Sequence, residues 1–355
     1  MRHYLLIILS LALLLISACG KSSASPDRYT AYDNILDYAK PLAFGEDNDV
    51  YVFCGRQNWQ ALESLLRRSI EREISLVYNE RYFNLIPVEL KRFNELYPYK
   101  NLVFIGDLNG TDDVSTHMRS SLPKDYLDRV TQTGGDLFIS KNHHSRDQVI
   151  LYLLGSDSDR LAKIALLQNE NIFNHLLKRY AERLAYQSFR SKIIGPDFWK
   201  NYPFTMKVPD NYRLYSNDAE GRFLSLLYRS RAENREIPDK YISVYYEAMQ
   251  ADSVSENWLF EKRNHIWGKY FEGDTIFKDK IRMERFKFAG YEGWRLIGPW
   301  ENRTHLIGGA FQSFAFWHSD TKRAYIVDNS VYFPAGDKLA ILLELQMISR
   351  TLVIK

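Results

Sequence analysis

The chain changes character at Gly195-Pro196, and that change restricts its fold more than any other feature. Before it, apolar runs of strand length alternate with stretches of helical period; after it, strand-like runs follow one another with few helical intervals. Alternation predicts helices packed on a mostly parallel sheet, whereas a succession of strands predicts an antiparallel one. A Gly-Pro step continues neither helix nor strand, which places the boundary there and gives domains at 49–195 and 196–355. The expected fold class is α+β. An N-terminal α/β domain precedes a C-terminal antiparallel sheet domain whose helices, the C-terminal one included, lie mainly on one face.

In the first half, "DVYVFCG" (49–55) reads as a buried strand, and Asn58 would cap a helix in which Trp59, Leu62, Leu66 and Ile70 repeat at helical spacing. "RYFNLIPVEL" and "NLVFIGDL" are further strands, with a short helix over 88–97 between them, and "DLFIS" and "QVILYLLG" form a hairpin across "KNHHSRD". Two helices are then expected, one over 157–170 and a longer one carrying Ile172, Phe173, Leu176, Leu177, Tyr180 and Leu184. The second half offers "FTMKVP", "YRLYS", "RFLSLLYRS" and "YISVYYEAM" as strands, a helix over 256–270, and then "RFKFA", "YEGWRLIG", "HLIGGAFQSFAFW" and "KRAYIVDNSVYF". His318-Ser319-Asp320-Thr321 turns the last two into a hairpin, and Asp337 would cap a final helix over 338–350.

The N-terminus decides the compartment. From Tyr4 to Ile16 the run is apolar apart from Ser10, and it is shorter than the ~20 residues a helix needs to cross a bilayer. With Arg2 and His3 before it and small residues after it, the run is the core of a signal peptide over 1–18. Ile16-Ser17-Ala18-Cys19 resembles the bacterial lipobox. That resemblance implies cleavage between Ala18 and Cys19 and alkylation of the Cys19 thiol by a diacylglycerol. Each buried methylene adds ~0.8 kcal/mol of membrane affinity, so two or three chains anchor the protein firmly. Residues 19–48, rich in Ser, Ala, Asp and Gly with Pro26 and Pro41, are expected to be a tether. The residues just after Cys19 carry no acid, which by resemblance to sorting rules points to the periplasmic face of the outer membrane. With Cys19 lipidated, Cys54 is the only thiol left and no intramolecular disulfide is available.

Composition removes several function classes. A net charge of +3 from 47 basic and 44 acidic side chains gives no field that would gather nucleic acid, and export makes DNA an improbable partner. There is no G-x-S-x-G elbow, H-E-x-x-H, phosphate loop or dinucleotide fingerprint, so the sequence implies no cofactor. His143-His144 has no third ligand at metal spacing, and no metal is expected.

Three stretches carry a wider resemblance: "VYVFCGRQNWQALESLLRRSIEREI", "RDQVILYLLGSDSDRLAKIALLQNENIFNHLLKRYAER", and "WRLIGPWENRTHLIGGAFQSFAF" with "YIVDNSVYFPAGDK". Through them the chain resembles an uncharacterised family of bacterial lipoproteins classed only as a domain of unknown function, over nearly the whole mature protein. The resemblance implies localisation and domain extent and no chemistry. The family pattern has a Trp soon after an Arg and a Gly-Gly-Pro-Phe; here Arg295 precedes Trp300, and Gly308-Gly309-Ala310-Phe311 has alanine for proline.

The candidate site lies in that third stretch. If 294–300 stays extended, Trp294, Leu296, Gly298 and Trp300 share one face and Arg295 points to the other. Gly298 would leave a notch between two indoles, and Gly308 and Gly309 on the neighbouring strand would remove further volume. The expected site is an aromatic cleft for a peptide, glycan or acyl group, with Arg295 available to an anion. The expected function is that of an envelope lipoprotein, non-catalytic and binding or scaffolding a protein, glycan or lipid partner. Its rivals are a hydrolase of an envelope polymer, marked by acids or histidines of perturbed pKa converging in a concave site, and a lipid or acyl carrier with a cavity between sheet and helices.

Overall fold

The computed structural model describes residues 28–231, 233 and 235–355. The first half carries, in chain order, β1 (Asp49–Cys54), α1 (Arg56–Ile70), β2 (Glu73–Ser75), β3 (Asn79–Arg81), β4 (Asn84–Val88), α2 (Phe93–Leu96) and β5 (Asn101–Asp107). It continues through α3 (Asp113–Ser121), α4 (Lys124–Thr133), β6 (Gly135–Lys141), β7 (Val149–Gly155) and α5 (Ser158–Ser188). The second half carries β8 (Phe204–Thr205), β9 (Arg213–Asp218), β10 (Phe223–Tyr228), β11 (Asp239–Ala248), α6 (Glu256–Tyr270) and β12 (Asp274–Thr275). Then come β13 (Arg282–Phe288), β14 (Tyr291–Asn302), β15 (Ile307–His318), β16 (Arg323–Tyr332), α7 (Leu339–Ser349) and β17 (Val353–Ile354).

The fold is mixed α+β, with an α/β first half and an antiparallel second half. The first sheet has the order β4-β1-β5-β7-β6, parallel except for the β6–β7 hairpin. Its central strand, β5, is buried along its whole length, as a strand covered on both faces must be. The second sheet runs β12-β14-β15-β16-β11-β10-β9, with β13 also paired to β14.

Four expectations are corrected. The helix after β7 is a single 31-residue element. The polar run Gln168-Asn169-Glu170-Asn171 interrupts the apolar period without supplying a Gly or Pro to stop the helix. Helices cover both faces of the second sheet: Phe314, Tyr325 and Val327 pack with Leu345 and Ile348 of α7, while Leu296, Phe311 and Ile326 pack beneath Leu259, Ile266 and Trp267 of α6. Residues 28–48 belong to the folded body and are no tether. Tyr29 and Tyr32 lie on Phe189 at 4.8 and 5.8 Å between ring centres, Ile35 is buried, and Phe44 bridges to Tyr99.

Capping is the fourth. α1 starts at Arg56, so Asn58 sits inside its first turn and donates from Nδ2 to Asp107 at 3.2 Å. α7 is capped from the other half of the chain. The buried Glu80 carboxylate of β3 accepts the Lys338 N–H at 2.9 Å and the Leu339 N–H at 2.7 Å, while Asp337 accepts the Tyr78 hydroxyl at 3.0 Å. Burial pushes the Glu80 carboxyl above its ordinary range and these backbone donors oppose it.

The β2–β3 hairpin is thus pinned to α7, and one core continues between the halves. Ile74, Leu76, Phe173 and Leu176 pack in the same cluster as Ile297, Ala310, Val331 and Leu342. No helix of the described residues is long and apolar enough to cross a membrane.

Candidate binding cleft

β14 places the predicted residues. Its neighbours β13 and β15 keep it extended, so side chains alternate between faces as expected. Trp294, Leu296 and Trp300 fall on the α6 face and Ile297 on the α7 face.

The aromatic notch is nevertheless filled. A methyl group added to Gly298 would lie 2.9 Å from the Lys280 carbonyl oxygen and 3.0 Å from Ile281 Cγ2, so the chain just before β13 occupies that space. At Gly309 it would lie 2.8 Å from Trp300 Nε1, and at Gly308 2.9 Å from the Trp300 carbonyl oxygen. The small residues serve the packing of Trp300, which is 5% exposed, and of the strands beside it. Trp294 lies under the Arg285 guanidinium at 3.9 Å. Arg295 is not free for an anion either: its Nε donates to Glu284 at 2.7 Å, and its guanidinium lies over Phe286 at 4.5 Å.

The open space lies at the end of the same strands. A cleft of about 1000 Å³ is lined by Glu73–Val77 from the first half and, from the second, by residues 277, 279–282, 299–303 and 306–309. Pro299 and Glu301 share the Ile297 face by alternation, and Gly308 stands opposite Glu301 across the ladder. Trp300, Gly308 and Gly309 therefore border a cleft, while Trp294, Arg295 and Gly298 do not line it. Its lips are apolar. Val77 on the hairpin side is 50% exposed and Leu306 on the other is 88% exposed.

Leu306 is unusual on a second count. Its φ of +54° places a branched side chain in the left-handed region, which costs ~1–2 kcal/mol outside glycine. The turn is held by His305, whose N–H donates to Asn302 Oδ1 at 2.9 Å. Sequence reasoning took "HLIGGAF" as the start of a strand and missed this tip; two adjacent aliphatics right after "ENRTH" were the available signal. Val77 carried none, because its exposure depends on a hairpin docked by residues more than 250 positions away.

Behind Trp300 a smaller cavity of about 250 Å³ is lined by Asp274, Asn302, His305, Ser330 and a group of tyrosines. Burial pushes Asp274 up to about 6, against the Asn302 Nδ2 that donates to it at 2.9 Å. His305 meets Glu272 at 2.7 Å at the surface. Elsewhere, burial lowers His144 to about 4 with its ring edge-on to His143, and burial pushes the Cys54 thiol up to about 12. Among the described residues no three His, Cys, Asp or Glu side chains are grouped to hold a metal ion. Ala18 and Cys19 lie outside the described residues.

The fold and cleft define a mixed α+β protein with a groove between its two halves. Residues 43–189 match a family model described as a domain of unknown function (DUF8532), and residues 192–351 match another, also a domain of unknown function (DUF4837), so that such models cover most of the chain. No curated protein matches it. Among solved structures, the chain is similar to the Ran-binding protein Mog1p of Saccharomyces cerevisiae at 11% identity and TM-score 0.29, over 44% of this chain and 92% of that one. It is also similar to LpqN, involved in cell envelope biogenesis of Mycobacterium tuberculosis, at 14% identity and TM-score 0.25, over 43% of this chain and 83% of that one. A protein from Bacteroides thetaiotaomicron is similar at 12% identity and TM-score 0.25, over 44% of this chain and 46% of its own. Likenesses this remote leave function to be argued from the site.

Proposed function

We propose that this protein is a cell-envelope lipoprotein, exported by a signal peptide over 1–18, anchored through a lipidated Cys19 to the periplasmic face of the outer membrane, and acting there as a non-catalytic binding module. The anchor half of this reading rests on the lipobox-like Ile16-Ser17-Ala18-Cys19 at the end of an apolar run too short to span a bilayer. The binding half rests on one observation: a cleft between the halves whose opposing lips hold Val77 and Leu306 in water. Exposed aliphatics that rim a groove mark contact with an apolar partner surface. An extended apolar segment of an envelope protein suits a cleft bordered by these two aliphatic side chains. The hydrolase reading has less support, because the buried Asp274 carboxylate is committed to Asn302, which also donates to the Phe271 and Glu272 carbonyls that precede β12.

The test is affinity capture from detergent-solubilised envelopes with the full lipidated chain, beside a Val77→Asp/Leu306→Asp variant and a Cys19→Ser variant. A stoichiometric partner held by the wild type and lost by the double variant at an unchanged thermal midpoint supports the cleft; equal capture by both overturns it. Cys19→Ser should leave the membrane fraction, and its retention there would overturn the anchor.

A further inference from the structure

A second cavity, of about 650 Å³, lies on the far side of β14 from α6, between α5, α7 and β13. It shares only Glu73 and Arg282 with the lining of the cleft. Phe173, Leu177, Leu343 and Met347 give it an apolar floor, and Arg72, Arg282, Arg295, Arg350 and Lys178 stand around it. The charges do not balance. Arg72 is neutralised by Glu170 at 2.6 Å, and both acids on the lining are taken elsewhere, Glu182 by Arg179 at 3.2 Å and Glu73 by Arg81 at 3.0 Å. Arg282 and Arg295 must share the single Glu284 carboxylate. Arg350 has no carboxylate partner among the described residues. Its guanidinium lies 5.6 Å from the centre of the Phe286 ring that Arg295 also covers. Five cations meet only the Glu170 and Glu284 carboxylates here, so the lining carries an excess of positive charge beside an apolar hollow.

We propose that this cavity binds a long-chain fatty-acid carboxylate, with the alkyl chain among Phe173, Leu177, Leu343 and Met347 and the head at Arg350. A carboxylate is the anion of unit charge and planar shape that a guanidinium pairs with best. The volume lies within the ordinary range for small-ligand cavities, ~300–1,000 Å³. Arg350 is at the mouth, where a head group can still reach water.

The experiment is isothermal titration of the folded protein with laurate below its micelle concentration, beside dodecanol, dodecyltrimethylammonium and butyrate, for the wild type and for Arg350→Gln and Arg350→Lys. The expected result is one laurate per chain, at least tenfold weaker binding of the alcohol and the cation, no measurable binding of butyrate, and at least a tenfold loss with Arg350→Gln that Arg350→Lys partly restores. Arg350 is exposed at a helix end, so Arg350→Gln should keep the wild-type thermal midpoint. Equal affinity for laurate and dodecanol, equal affinity of the Arg350→Gln variant and the wild type, or no laurate binding would each overturn the proposal. None of these outcomes bears on partner capture at Val77 and Leu306.

Discussion

The two faces of β14 are built from one stretch of sequence and end in opposite states. On the α6 face, Trp294, Leu296 and Trp300 are absorbed into a core with Trp267 and Phe311, and even the glycines are used up as contact surfaces. That face also buries an ion pair: Arg263 of α6 donates from Nε to Asp328 at 3.2 Å, both side chains are 0% exposed, and Ser313 and Ser330 donate to the same carboxylate. On the opposite face, the core contribution of β14 ends at Ile297, and the cleft opens where the β2–β3 hairpin does not close over Pro299 and Glu301. Aromatic side chains and glycines mark the filled face; exposed aliphatics at a strained turn mark the open one. The difference teaches that residue types suited to a ligand cleft are equally suited to a protein core, and that the covering element decides between them.

This contrast can be broken or sharpened by substitution. The largest effect is expected at the buried pair: Arg263→Ala strands the Asp328 carboxylate and should cost about 3–5 kcal/mol in urea unfolding, and a loss under 1 kcal/mol would show that the α6 face is not the tight core described. Trp300→Leu should follow at about 2–3 kcal/mol, since it leaves a void over Gly309, with partner capture retained in the folded fraction.

Asp274 gives a pH signature of the same face. Its folded value, about 6, lies above the ordinary 3.8, so the folded state holds the proton more tightly than the unfolded one. The resulting stabilisation is fully present below pH ~4 and is lost as pH rises through about 6, a loss of up to ~2–3 kcal/mol. Asp274→Asn keeps an oxygen for Asn302 and should flatten that slope; a slope unchanged in the variant would assign it to another group.

On the open face the signs reverse. Leu306→Asn relieves a left-handed backbone and should stabilise by up to ~1 kcal/mol while weakening partner capture, a combination that a structural leucine would not give. Val77→Asp should shift stability by no more than ~0.5 kcal/mol and still reduce capture.

Most of the element order was legible because it follows local periodicity: Leu62, Leu66 and Ile70 bury one side of α1, and the β15–β16 hairpin turns at His318–Thr321. Long-range partners were not. Asp337 has the right residue type and position for a cap, but Glu80 arrives from another hairpin and takes the role. Period alone split α5, whose exposed Leu166 and Leu167 fall where the apolar stripe should be polar. For the site, alternation put Trp294, Gly298 and Trp300 on one face of β14, yet nothing local told that α6 and the segment before β13 would fill that face. Arg295 was expected to be free because its partner Glu284 comes from a strand pairing that only the folded sheet brings together. Trp300, Gly308 and Gly309 border the cleft through the strand ends they occupy.

The most direct test of the cleft as the working surface is site-specific photo-crosslinking in intact cells, with the reactive residue placed at Val77, at Leu306 and, as a control, at the exposed Lys287 on β13. The account predicts the same crosslinked partner from positions 77 and 306 and none from 287. No adduct at either lip, or the same partner at equal yield from all three positions, would contradict it.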